Sequence, residues 1–191
     1  MEAPMAGRRA NALKREIVAG NGATSTAPPE VVFDALTDLQ SHLLWGGEQQ
    51  RSKMRLVAMD APEGPAGVGT EFRTEGLDPN GRFTDTSVVT EADRPRVFEF
   101  VTEAHLHTKK GKVVDWTVVH RYELAPQGTG CRISYQGRVT RISEVPGMLA
   151  IFNVPVLSAL GAKAWDGLSK RGVRNLARVA EERAKERGEG G

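Results

Sequence analysis

Residues 97–124, VFEFVTEAHLHTKKGKVVDWTVVHRYEL, decide the architecture of this chain. Apolar and polar residues alternate on both sides of a Lys-Lys-Gly-Lys turn, which is the period of strands that bury one face. The two runs therefore form a hairpin, Val97 to His107 against Lys112 to Leu124. Phe98, Phe100, Thr102 and Ala104 share one face of the first strand. On the second, Val114, Trp116, Val118, His120, Tyr122 and Leu124 share a face, while Asp115, Thr117, Arg121 and Glu123 turn to solvent. A turn centred near Gly111 sets Thr102 opposite His120.

The same alternation runs from Arg51 to Ser143. It is punctuated by turn-forming residues at Pro62–Gly69, Asp78–Gly81, Asp93–Pro95, Lys109–Gly111 and Pro126–Gly130, giving six successive antiparallel strands. In the last of these, Cys131, Ile133, Tyr135 and Val139 alternate against Arg132, Ser134, Gln136 and Arg138. Ile17–Thr26 reads as a strand of its own ahead of them. Between the two blocks, Pro28-Pro29-Glu30 opens a short helix over Val31–Leu39 with Val32, Phe33, Leu36 and Leu39 inward. A second short helix over Asp38–Trp45 is expected to bury Leu43 and Leu44 before Gly46-Gly47 stops it.

At the other end, residues 158–187 have helical spacing. Leu157, Leu160, Ala164, Leu168, Gly172, Leu176 and Val179 form an apolar stripe flanked by Trp165, Val173 and Ala180, and Arg183, Lys185 and Arg187 complement the C-terminal end. Gly161, Gly167 and Gly172 interrupt it, each at a cost of roughly 1 kcal/mol relative to Ala, and permit a bend or a close backbone approach. A sheet with one apolar face needs a cover, and only this helix is large enough to supply it. The expected fold is α+β: a curved antiparallel sheet of about seven strands in the order β-α-α-β6-α, wrapped around a long C-terminal helix.

Composition limits the function. The chain has 191 residues, a net charge of +2 and 39% apolar residues, suiting one domain over 14–187 with a leader at 1–13 and a tail at 188–191. Charges alternate in sign without a basic block carrying aromatics, so nucleic acid is not an expected partner. Cys131 is the only cysteine, which excludes an intrachain disulfide and is compatible with a reducing, cytoplasmic setting. The glycine-containing turns lack the Lys and the strand-to-helix context of a phosphate loop. His105 and His107 share a strand face with Asp115 across the hairpin, but no third ligand converges and a solvated strand end is expected. Neither a metal nor any other cofactor is expected. Cys131 follows a Gly-Thr-Gly turn on the apolar face and reads as core rather than nucleophile.

Several phrases carry a family resemblance. APPEVVFDALTD at 27–38, GVGTEF at 67–72, VTEADRP at 89–95 and the Tyr122–Cys131 stretch with its Pro126 and Gly128-Thr129-Gly130 resemble the START/Bet v 1-like helix-grip superfamily, particularly its polyketide cyclase/dehydrase and ligand-carrier branch. The resemblance spans about Glu16–Glu186. It implies a cavity between sheet and helix that binds or carries a hydrophobic small molecule such as a lipid, polyketide or aromatic metabolite. It also admits a cyclase or dehydratase that moves protons with polar cavity residues.

Under that reading the lining is Phe72, Phe83, Ser87, Val89, Phe98, Phe100, Thr102, Trp116 and Val118 from the sheet, capped by Leu157, Leu160, Ala164, Trp165 and Leu168. These would equally fill an ordinary core. His120, Asp85 and Tyr122 are the candidates for catalysis: His120 interrupts an apolar face, and Asp85 on the same predicted face could hold its ring or act as an acid. Both could instead be satisfied by hydroxyls such as those of Thr102 or Tyr122. The apolar stretch 145–160, with Pro146 and Pro155, could be a buried connection, a lid, or a peripheral membrane contact, and it is too short and Pro-broken to span a bilayer. A monomer and a homodimer are both compatible with the sequence.

Overall fold

In a computed structural model the chain is described over residues 11–47, 55–78, 80–143 and 155–188, with backbone alone for 11–15, 47, 78 and 155–168. Seven strands, β1 (Asn11–Ser25), β2 (Arg55–Asp60), β3 (Glu71–Asp78), β4 (Gly81–Asp93), β5 (Val97–Thr108), β6 (Val113–Gln127) and β7 (Gly130–Ile142), form one antiparallel sheet in the order β1-β7-β6-β5-β4-β3-β2. Helix α1 (Pro29–Thr37) follows β1, and helix α2 (Pro155–Arg187) ends the chain. The six strands from β2 to β7 form an up-and-down meander, and β1 joins its far side by pairing with β7.

The hairpin forms with one correction of register. Residue pairs across β5 and β6 run from Val97 with Glu123 to His107 with Val113, so the turn is centred on residue 110. Gly111 takes a positive φ of 75°, and the amide of Thr108 donates to the Lys112 carbonyl, closing a three-residue loop. His120 consequently lies opposite Phe100, and Thr102 opposite Val118. A shift of two leaves every side chain on its expected face. Thr117 does lie on the outer face but is buried there, because the Glu103 carboxylate folds over its hydroxyl at 3.0 Å. Nearby, Arg121 donates to Glu91, Glu99 and Glu123 at 2.6, 3.1 and 2.9 Å, a charged clasp across three strands.

Strand β1 begins at Asn11, earlier than the apolar alternation from Ile17 suggests, with a register irregularity between Ala12 and Ile17. Pro28 caps α1 through its carbonyl, which accepts from the amides of Val31 and Val32. Almost the whole of α1 is buried, with Val31, Val32, Phe33 and Leu36 against the sheet and the Phe33 ring edge-on to Phe98 at 6.2 Å. The second short helix is not a regular one. It divides into a 3₁₀ turn at Leu39–Ser41 and a wider π turn at Leu43–Gly47. The changed winding leaves Leu44 exposed and turns His42 and Trp45 inward.

The second half of α2 buries Val173, Leu176, Val179 and Ala180, as its spacing predicts, and Ala177 and Ala184 beside them. It is tied to its surroundings by polar contacts. Ser25 Oγ donates to the Ala177 carbonyl, the Thr26 amide to Glu181, and Asn175 to the Trp45 carbonyl. Arg183 pairs with Asp38 at 2.6 Å and Arg187 with Asp34 at 2.9 Å, so the basic last turns engage α1 as well as their own helix end. Gly188, at φ 71°, terminates α2. Residues 1–10 of the expected leader at 1–13 and the 145–154 stretch lie outside the described residues, as do the side chains of Leu157, Leu160, Ala164, Trp165 and Leu168, whereas residues 11–13 belong to β1 rather than to a leader.

Candidate functional site

A cavity of about 230 Å³ lies between the concave face of the sheet, the 42–46 turn and α2. That is slightly below the range of about 300–1,000 Å³ common for small-molecule sites. Alternation along five strands aims its wall inward: Phe72 and Thr74 on β3, Phe83, Asp85 and Ser87 on β4, Phe100 and Thr102 on β5, His120 and Tyr122 on β6, and Tyr135 on β7. Ser169, Gly172 and Val173 form the α2 side, and Arg55 and Leu56 of β2 complete the rim. Eight of the sequence candidates thus meet at one cavity. Phe98 does not line it, being fully buried in the core beneath α1, and Trp116 and Val118 lie farther along β6 outside the wall.

Aromatic rings recur around the wall. Phe100 stacks on His120 at 4.7 Å and meets Phe72 at 5.4 Å, while Tyr122 packs on Tyr135 at 4.9 Å. His42 lies 4.4 Å from Trp45 and within reach of Phe72 and Phe100. Opposite Phe83 on β3 stands Gly76, where a Cβ would collide with the Phe83 ring. Glycine at this position is what lets that ring lie flat across the neighbouring strand.

The polar groups fall into three pairs. Nδ1 of His120 is 2.9 Å from the Tyr135 hydroxyl. Ser87 and Thr102 share a hydrogen bond of 2.8 Å between their hydroxyls. Thr74 donates to Asp85 Oδ2 at 3.1 Å, and Asp85 Oδ1 is buried with no partner among the described residues. The proposed support of the His120 ring by Asp85 is therefore not what the structure has. Each group has one hydroxyl partner, but it is that of Tyr135 for His120 and of Thr74 for Asp85 rather than Thr102 or Tyr122.

Burial sets the protonation of the site. It pushes His120 down to about 3, with the nearby His42 adding to the effect, and His42 itself down to about 4. His42 donates through Nε2 to the Leu36 carbonyl at 3.2 Å, which leaves Nδ1 as an acceptor in the neutral ring. Both imidazoles are uncharged at neutral pH, and His120 is a weak base. Burial raises Asp85 to about 6 against the opposing Thr74 hydrogen bond, and holds the Tyr122 phenol well above its ordinary value. Of the three catalytic candidates, Asp85 is the one that exchanges a proton near neutrality, and Tyr122 is a permanent donor.

His42, Trp45, Thr74 and Tyr135 belong to the wall without having been singled out as site residues. Tyr135 was visible in the β7 alternation, and Thr74 follows from the register of β3 once Asp85 faces inward. His42 and Trp45 were hidden by the irregular winding of 39–47. Elsewhere, His105 pairs with Asp115 at 2.7 Å on the exposed face, and no group of three metal-ligating side chains occurs among the described residues. Cys131 is fully buried and its thiol is pushed up to about 11.

A seven-stranded antiparallel sheet curved around a C-terminal helix, with a cavity between them, defines the helix-grip class of Bet v 1-like proteins. The family described as polyketide cyclase / dehydrase and lipid transport matches residues 21–181, and the chain belongs to it. Solved structures share the fold at low identity. An uncharacterized protein from Rhizobium leguminosarum matches at 11% identity and TM-score 0.64, over 91% of this chain and 99% of that one. Protein SA2116 of Staphylococcus aureus matches at 12% and 0.62, over 90% and 97%. Ara h 8.0201 matches at 13% and 0.54, over 87% and 98%. No curated protein matches the chain in sequence. Among the described residues, no helix is long and apolar enough to cross a membrane.

Proposed function

We propose that this protein binds or carries a hydrophobic small molecule, a lipid, polyketide or aromatic metabolite, in the cavity between sheet and α2. The observation that carries this reading is the wall itself: contiguous faces of Phe72, Phe100, Tyr122, Trp45 and the neutral imidazoles, interrupted by a few fixed polar groups. Such a surface rewards burial of an apolar body at about 25 cal/mol per Å² while the polar groups orient it. Native mass spectrometry of protein purified from its own host, together with titration of fluorescent fatty-acid and polyketide probes, tests it. A co-purifying apolar ligand or saturable probe binding is expected; absence of both removes the reading.

A second reading, a cyclase- or dehydratase-type enzyme, gains support from Asp85 and Tyr122. The carboxylate is poised near neutrality on the same wall as a phenol that stays protonated. In this reading Asp85 takes a proton next to a ligand carbonyl and Tyr122 hydrogen-bonds the carbonyl oxygen. His120 positions the ligand through its stack on Phe100 rather than acting as base. Turnover of an identified substrate that survives Asp85→Asn unchanged would exclude Asp85 as the base.

A further inference from the structure

We infer that the cavity selects ligands that present a hydrogen-bond donor, a hydroxyl or an ammonium, on an apolar ring body, and that Asp85 is the residue that reads it. The inference rests on the cavity being a binding site for hydrophobic small molecules. Its basis is a deficit of donors around this one carboxylate. A carboxylate accepts about four hydrogen bonds. Asp85 receives one from Thr74 at Oδ2, while Oδ1 is buried without a partner among the described residues. Leaving a buried acceptor unsatisfied is unfavourable, and more so when it is charged.

Asp85 itself is part of the cavity wall. It is paired with Thr74 on one side and Ala104 on the other, both short side chains. A half-turn about its Cβ–Cγ bond exchanges the two oxygens between Thr74 and a newcomer. Among the described residues Arg55 is the one cation of the lining: His42 and His120 are held neutral, and Ser87 and Thr102 bond to each other. A ligand donor therefore finds an unfilled acceptor, and a ligand carboxylate finds like charge. The Arg55 guanidinium stands at the exposed rim on β2, and a site governed by it would prefer acids instead.

Four probes of one shape separate these outcomes: 2-naphthol, 2-naphthylmethylamine, 2-methylnaphthalene and 2-naphthoate, titrated into the full chain and into Asp85→Leu and Asp85→Asn. The readout is the ratio of dissociation constants among probes, which a uniform loss of binding does not move. The donor probes are expected to bind about tenfold or more tighter than methylnaphthalene, the worth of one hydrogen bond to a charged group. That preference should collapse in Asp85→Leu. In Asp85→Asn, which keeps the shape should the leucine variant fail to fold, the ammonium preference should vanish. Tighter binding of the amine than of the naphthol identifies an amine ligand, and the reverse a hydroxyl. Equal binding of methylnaphthalene, preference for naphthoate, or a donor preference that survives both substitutions overturns the role of Asp85 while leaving the binding site intact. Failure of all four probes overturns the binding site itself.

Discussion

The ring of His120 lies on the ring of Phe100, centroids 4.7 Å apart and planes within 17° of parallel, because the two residues are directly paired across β5 and β6. The stack keeps water from one face of the imidazole while the Tyr135 hydroxyl fixes its Nδ1. Phe100→Ala is expected to destabilise the fold by about 3–5 kcal/mol. It should also raise the His120 pKa by readmitting water. Urea denaturation and histidine titration by NMR check the two effects; an unchanged titration would show that the stack does not shield the ring.

Acid stability follows from the buried imidazoles. His42 and His120 have folded-state pKa values of about 4 and about 3, below the ordinary 6.5, so the unfolded chain takes up protons first as pH falls. Their contribution to stability is complete above about pH 6.5 and is lost as pH drops toward 4. Asp85, raised to about 6, acts in the opposite sense, gaining stability as pH falls from 6 toward 4. The two imidazole displacements together exceed the carboxyl one, so the net effect is loss. Urea midpoints should fall between pH 7.5 and 4.5, and less steeply in His42→Gln, which retains a donor for the Leu36 carbonyl. A variant as acid-sensitive as the parent would remove His42 from this role.

Gly76 and Phe83 are coupled by space. A methyl at residue 76 would collide with the Phe83 ring, so Gly76→Ala must displace the ring from the cavity wall. Overpacking of this kind costs about 1–3 kcal/mol. Phe83→Leu should recover much of that loss in the double variant, giving a non-additive thermodynamic cycle. Additive melting-temperature changes would show that the strands separate instead.

Cys131 should be inert in the folded protein. It is completely buried and its thiol is raised to about 11, so little thiolate forms at neutral pH. Reaction with a disulfide reagent such as Ellman's should proceed only at the rate of unfolding and speed up sharply in denaturant. Rapid labelling in native buffer would contradict this burial.

The sheet, its turns and the closing helix were legible because period-2 alternation and turn residues act locally, and 97–124 carries both without interruption. Eight cavity residues followed from that parity, since a register error of two preserves the face. Hydrogen-bond partners did not follow, because they depend on the exact pairing: with the turn centred on 110, His120 moves beside Phe100, while the β6–β7 register, which sets Gly137 opposite it, brings Tyr135 within reach. His42 and Trp45 escaped for another reason. Regular helical winding over 38–45 would bury Leu44, whereas the 3₁₀ and π turns rotate the histidine and tryptophan to the inside.

The position of β1 in the sheet also orders assembly in time. Strands β2 to β7 pair with sequence neighbours, whereas Asn21 of β1 finds its partner in Tyr135 and Ser25 in Cys131. Contacts so distant along the chain form late, after the nearby hairpins have shortened the loop between them. During synthesis from the N-terminus, the first strand emerges more than a hundred residues before the strand it will join. Until β7 is made, β1 lacks its partner and is an edge open to pairing with another copy of itself.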